Sequence, residues 1–109
     1  SDTQYVQRHV PLYAYTDIND LFTHIPNSCK VVGIEIDEKA KSIHDFTHPE
    51  RAIYILGAEG NGMTERTKSR CHALIEIPST YCLNVATTGA IVMWDRIMKA
   101  KDSLSKADK

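Results

Sequence analysis

The chain has 109 residues, 42% hydrophobic and 25% charged, with a formal net charge of −1. That length fits one small domain with a single core, and the near-neutral charge argues against a broad electrostatic grip on nucleic acid, though not against a local basic patch. Three cysteines, Cys29, Cys71 and Cys82, are odd in number and form no CxxC pair, which speaks against a disulfide scaffold or a zinc site and fits a reducing compartment.

Residues 1–16 are mixed and show no period; SDTQYVQRHV has no signal-peptide core. TDINDLFTHI offers Thr16 and Asp17 as N-caps and places Ile18, Leu21, Phe22 and Ile25 at helical spacing, with Pro26 as a stop. KVVGIEI (30–36) is a continuous β-branched run, the pattern of a strand buried on both faces. The polar stretch that follows allows one helical turn near Ser42–Phe46. RAIYILG (51–57) reads as a second buried strand, MTERTKSRC (63–71) as a short exposed helix, and ALIEIP (73–78) as a third strand stopped by Pro78. LNVATTGAIVMWDRIMKA (83–100) is the longest regular segment. Its apolar face of Val85, Ala86, Gly89, Ala90, Met93, Trp94, Ile97 and Met98 predicts a mostly buried helix. Residues 101–109 form a polar tail expected to fray. No apolar run approaches the ~20 residues of a membrane span. Strands alternating with helices predict an α/β domain with a parallel sheet. Ligands in such sheets sit beyond the carboxyl ends of strands.

Two strand ends carry unusual chemistry. In GAEGNG (57–62) the glycines let the main chain approach a ligand closely. Their spacing departs from GxGxxG, and no Walker lysine follows. A sharp strand-to-helix connection with Glu59 in solvent is the plain alternative. In IPSTYCLN (77–84) a helix starts after a strand, and its first N–H groups can meet an anion or carboxylate; Asn84 as a simple cap explains the same pattern. His9, His24, His44, His48 and His72 show no metal-ligand spacing, so structural or solvated roles are expected and no metal. Cys82 lacks a histidine partner and reads as an inert thiol. Arg66, Lys68 and Arg70 could meet RNA phosphates, with a solvated helix face as the plainer reading.

Taken together, AIYILGAEGNGMTE and, further on, ALIEIPSTYCLNVATTGAIVMWDRI resemble motifs 2 and 3 of the SpoU (TrmH-type) RNA ribose methyltransferases of the SPOUT superfamily. The resemblance spans about Lys30 to Met98. It implies a deep trefoil knot in the C-terminal part of the α/β domain, with residues 77–100 threaded through the loop at 57–62. It implies S-adenosylmethionine as cofactor, transfer of a methyl group to a ribose 2′-oxygen of RNA, and a homodimer. tRNA is favoured over rRNA because so many relatives act on it. The positions matching cofactor residues are Gly57, Gly60, Ile77 and Leu83, with Ile77 and Leu83 walling the adenine. Glu59 matches the motif-2 acid and Asn84 the motif-3 asparagine, expected to place the target nucleotide and the catalytic apparatus. Trp94, Ile97 and Met98 are expected in the knot core or at the dimer interface.

Two departures stand out. Cys82 replaces the serine that the family often has two positions before Asn84. Motif 1, Asn-x-Gly-x-x-x-Arg, is absent from residues 1–29. The expectation is a single SpoU-type domain over 1–109 that is N-terminally truncated and lacks full catalysis alone. A cytoplasmic setting is expected, with nuclear or organellar ones left open. The alternative in a different class is a catalytically incomplete SPOUT module that binds RNA or a protein partner.

Overall fold

The computed structural model describes residues 18–57, 63–78 and 84–107. In chain order these form α1 (Ile18–His24), β1 (Lys30–Ile34), β2 (Lys41–Ser42), a 3-10 turn (Ile43–Asp45), β3 (Ala52–Leu56), α2 (Glu65–Arg70), β4 (Ala73–Glu76) and α3 (Val85–Ala107). The four strands make one sheet in the order β2-β4-β1-β3, and every pair is parallel. This is the α/β architecture that the alternating pattern predicts.

β1 is the interior strand. It pairs with β3 on one side, Val32 opposite Tyr54 and Ile34 opposite Leu56, and with β4 on the other, Val32 opposite Ala73 and Ile34 opposite Ile75. Strand side chains alternate between faces. One face carries Val32, Ile34 and Ile75, joined by Tyr54, Leu56 and Ala73, and packs with Val92 of α3 and with Ile43 and Phe46. The other carries Gly33, which leaves room for neighbours: a Cβ there would lie 2.8 Å from Leu74 Cδ2 and 3.0 Å from both Cys71 Sγ and Met63 Cε. Burial on both faces explains why β1 reads as unbroken VVGI rather than as an alternating strand.

α2 is capped at its start by Thr64, whose Oγ1 accepts from the Thr67 amide at 3.2 Å. Arg70 at its end reaches back to α1: it donates to Asn19 Oδ1 at 2.9 Å and stacks 4.0 Å over the Phe22 ring. The expected caps Thr16 and Asp17 lie outside the described residues.

Four details differ from the sequence reading. β1 stops at Ile34, and Ile36 beyond it is 71% exposed. β2, only two residues long, adds a strand too short to show any period; the 3-10 turn after it falls where one helical turn was expected. α3 continues to Ala107 through KDSLSKA, a run with no glycine or proline to stop it.

The fourth concerns which side of α3 is covered. Val92 is buried, but Trp94 is 64% and Ile97 58% exposed, and Val85, Ala86 and Ala90 are exposed as well. The inward line runs instead through Gly89, beside Leu56, then Val92, Arg96 and Lys99. That line is apolar at its start and cationic at its end; of the expected apolar face, Gly89 and Met93 lie against the sheet and core, while Val85, Ala86, Ala90, Trp94 and Ile97 lie outside.

Ile75 sits fully enclosed where β4, β1 and α3 meet. Ile75→Ala should lower unfolding stability by roughly 2–5 kcal/mol, whereas Ile36→Ala should stay within about 0.5 kcal/mol; urea midpoints at fixed slope check both.

Candidate functional site

The site is built by the sheet order. β3 and β4 flank β1; the last paired row across the three is Leu56, Ile34, Ile75, and β4 runs one residue further, to Glu76. Gly57 therefore leaves the sheet on one side of the β1 terminus and Glu76–Ile77 on the other. Neighbouring strands lie about 4.8 Å apart, so the two exits are separated by roughly 10 Å. The two stretches singled out in the sequence are brought to one edge, with Glu35 between them.

Glu35 extends the ladder, its amide donating to the Ile75 carbonyl at 3.0 Å. Its carboxylate turns to the segment that returns to α2: Oε2 accepts from the Met63 amide at 2.6 Å. Oε1 accepts from the amide of Ile36 at 3.3 Å. Sequence reasoning passed over Glu35, because a lone acid at a strand end carries no pattern.

α3 brings its first turn to the same edge, since Gly89 faces Leu56, the last residue of β3. Asn84 is the cap of this helix: its Oδ1 accepts from the Thr87 amide at 2.8 Å and its carbonyl from the Thr88 amide at 2.9 Å. The capping reading of Asn84 is thus realised. It uses the side-chain oxygen, and among the described residues the Asn84 amide nitrogen has no hydrogen-bond partner. Ile77 is half-buried and packs against the core. Glu59, Gly60, Leu83 and Cys82 lie outside the described residues.

The basic trio of α2 is largely engaged within the fold. Lys68 pairs with Asp37 at 3.0 Å and with Glu65 at 3.4 Å. Arg70 is held on α1, and Arg66 is exposed.

A second polar cluster ties α3 to the segment before β3. Arg96 donates from Nη1 to the Pro49 carbonyl at 2.7 Å and the Tyr54 hydroxyl at 2.9 Å, and from Nη2 to the Glu50 carbonyl at 2.7 Å. The Tyr54 hydroxyl, which accepts from Arg96, also lies 2.7 Å from His48 Nδ1. His48 Nε2 in turn lies 2.7 Å from Asp95 Oδ2, completing a chain of contacts from Arg96 through Tyr54 and His48 to Asp95. Lys99 closes the set, 2.8 Å from Asp95 and donating to the carbonyls of Ile43 and Phe46 at 2.6 and 2.7 Å. Burial alone would push the Asp95 carboxyl up; the hydrogen bonds from Lys99 and His48 outweigh it and hold it below its ordinary value of 3.8. His72 also has a structural place, accepting the Val31 amide on Nδ1 at 2.8 Å. Among the described residues no group of His, Cys, Asp or Glu is gathered as a metal would need, and no helix is long and apolar enough to cross a membrane.

Comparison with known proteins fits this geometry. A model of the SpoU rRNA Methylase family matches residues 3–94. The chain belongs to that family. Two similar proteins are 23S rRNA (guanosine-2'-O-)-methyltransferases RlmB, from Bordetella pertussis, 30% identical over 70 residues, and from Acinetobacter baylyi, 30% identical over 69. The matches cover 62% and 61% of this chain, and this SpoU family member spans about 28% of the length of either relative.

The depressed Asp95 gives a pH test. A carboxyl with a lowered folded-state value adds stability that is present above its unfolded value and lost as pH falls through the folded one. The melting temperature should therefore hold above about pH 5 and fall toward pH 3. Asp95→Asn should cost roughly 1–3 kcal/mol at pH 7 and show a shallower fall across that acid window; calorimetric melting at several pH values checks both.

Proposed function

We propose that this chain carries the cofactor-binding end of an S-adenosylmethionine-dependent RNA methyltransferase that modifies a ribose 2′-oxygen. The observation that carries the reading is the convergence of two motif-bearing strand ends, at Gly57 and Ile77, on one sheet edge in a chain of the SpoU family. In this proposal residues 77–100 pass through the segment at 57–62 as a deep trefoil knot, and residues 1–109 form one domain.

The residues at that edge suit the cofactor. Gly57 exposes main chain, Ile77 offers a half-buried apolar wall, and no phosphate-binding lysine motif is present. S-adenosylmethionine carries no phosphate and presents an adenine that needs apolar walls and main-chain hydrogen bonds. When bound it supplies a sulfonium methyl group. Gly57 and Gly60 would hold it by main chain, and Ile77 and Leu83 would flank its adenine. Glu59 and Asn84 would orient the target nucleotide. Asn84 can do so while capping α3, because the cap uses its oxygen and leaves its amide nitrogen as donor. Holding a 2′-hydroxyl in line with the methyl group supplies the proximity term of catalysis.

The arginine of motif 1 has no counterpart assigned in this chain. Arg96 and Arg70 are engaged within the fold. The exposed stripe of Ala86, Ala90, Trp94 and Ile97 supports a homodimer. The relatives named for 23S rRNA move the proposed substrate toward rRNA and away from tRNA. A cytoplasmic setting accords with such a substrate. The missing motif 1 also supports the second reading, an incomplete module that binds RNA or a protein partner.

Calorimetry with S-adenosylhomocysteine tests the reading, with Leu83→Trp as a blocked control. Binding with methyl transfer to rRNA supports the enzyme, binding without transfer selects the incomplete module, and no binding by the folded protein overturns the cofactor assignment. Asn84→Asp should keep the helix cap within about 0.5 kcal/mol while Asn84→Ala loses roughly 1 kcal/mol. Both should abolish transfer, because neither keeps the amide donor; urea melts beside a transfer assay separate the two roles.

A further inference from the structure

The chain that leaves β1 at the carboxyl edge, between the exits at Gly57 and Ile77, runs beside α2. The two enclose a cavity of about 540 Å³, within the size range of small-ligand sites. Its walls differ in kind. One is apolar, made by Leu74 of β4 and by Ile36, a large aliphatic side chain left 71% exposed. The other is an ion pair partly withdrawn from water: Lys68 Nζ donates to Asp37 Oδ2 at 3.0 Å, with the two side chains 15% and 18% exposed. Lys68 also donates to Glu65 Oε1 at 3.4 Å, and Asp37 Oδ1 accepts from the Lys39 amide at 2.8 Å. These bonds hold the Asp37 carboxyl below its ordinary value, so it is an acceptor at neutral pH.

Both members of the pair keep capacity to spare. An ammonium has three protons, and Lys68 uses two among the described residues. Each Asp37 oxygen takes one donor there and has a second lone pair. The cavity therefore sets one open donor beside a carboxylate able to accept two parallel N–H groups. Among the RNA bases, guanine has the matching edge, with carbonyl O6 beside N1–H and N2–H. Adenine offers one amino group and no neighbouring ring N–H on that edge. Exposed Lys39 at the cavity, and exposed Arg66 next to Glu65, offer cations to flanking phosphates.

We propose that this cavity binds a guanine base of single-stranded RNA, with Asp37 accepting from N1–H and N2–H, Lys68 donating to O6, and the ring lying against Ile36 and Leu74. The proposal rests on the RNA methyltransferase reading above and deepens it by naming the base read at the same edge. Reading an unpaired base through its Watson–Crick edge is how proteins usually read RNA sequence.

Amide NMR of the labelled chain, titrated with a short oligouridylate carrying a single guanosine, tests this. Saturable shifts are expected at Ile36–Lys39 and Glu65–Ser69, and the matching adenosine oligonucleotide should bind about tenfold more weakly, the worth of one bidentate contact. Asp37→Asn should bring the two oligonucleotides to within about twofold of each other, because an amide accepts on one atom only. Ile36→Ala, at an exposed position, should weaken both by about threefold. Equal binding of the two oligonucleotides by the wild type overturns the guanine assignment. GMP binding as tightly as the guanosine oligonucleotide overturns RNA as the source of the base. If Asp37→Asn does not fold, Ile36→Ala decides, and unchanged affinity there overturns the cavity as the site. Absence of shifts around the cavity while S-adenosylhomocysteine still binds overturns the proposal and leaves the methyltransferase reading standing; absence of both overturns the two together.

Discussion

The double burial of β1 is the constraint from which the arrangement follows. A strand hydrogen-bonded on both edges and covered on both faces has no freedom of register, because a shift of one residue would send every side chain to the wrong face. Val32, Ile34 and Ile75 define one side, and Gly33 with Leu74 the other. With β1 fixed, β3 ends beside it and β4 one residue beyond, and the chain segments leaving them are delivered to the same edge. The geometry at this edge is thus a by-product of core packing, to which Ile77 adds its own contact with the core.

α3 is fastened to this sheet by two different means. Its first half uses shape and apolar contact, with Gly89 close to Leu56 and Val92 enclosed in the core. Its second half uses Arg96 and Lys99, which donate to backbone carbonyls of the segment before β3, and Asp95, which receives His48 and Lys99. Partly buried cations are tolerable here because each finds several acceptors. Directional bonds of this kind also fix the rotation of the helix about its axis, which apolar contact alone does loosely. Fixing that rotation sets where the Asn84 end lies and which residues face outward.

The strands were legible because parallel, doubly covered strands appear as continuous β-branched runs, and KVVGI, AIYIL and ALIE each do. α2 was legible from its polarity and the basic end that suits its dipole. The two motif-bearing strand ends and the family were legible from residue types and their order. The inward side of α3 was legible only in part, at Gly89 and Met93. Hydrophobic periodicity assumes that what faces the core is apolar, and here Arg96 and Lys99 face it, leaving Trp94 and Ile97 outside. Glu35 was hidden for a related reason: its partner is a main-chain amide 28 residues away, and main-chain partners leave no trace in the sequence. β2 was too short to register as a period. Of the expected site residues, Gly57, Ile77 and Asn84 have a described place, and Asn84 serves first as a helix cap.

The strand order has a consequence for how the chain is made. Among the described residues β1 is the first strand in the sequence, yet its partners are the last two, β3 and β4. During synthesis from the N-terminus, VVGI leaves the ribosome with neither edge paired. The first edge can close only after Leu56 has emerged and the second only after Ile75. Cover for its Val32–Ile34 face waits longer still, for Val92. Of the described strands, this apolar one is made first and covered last, an order in which non-local parallel pairing is slow to assemble.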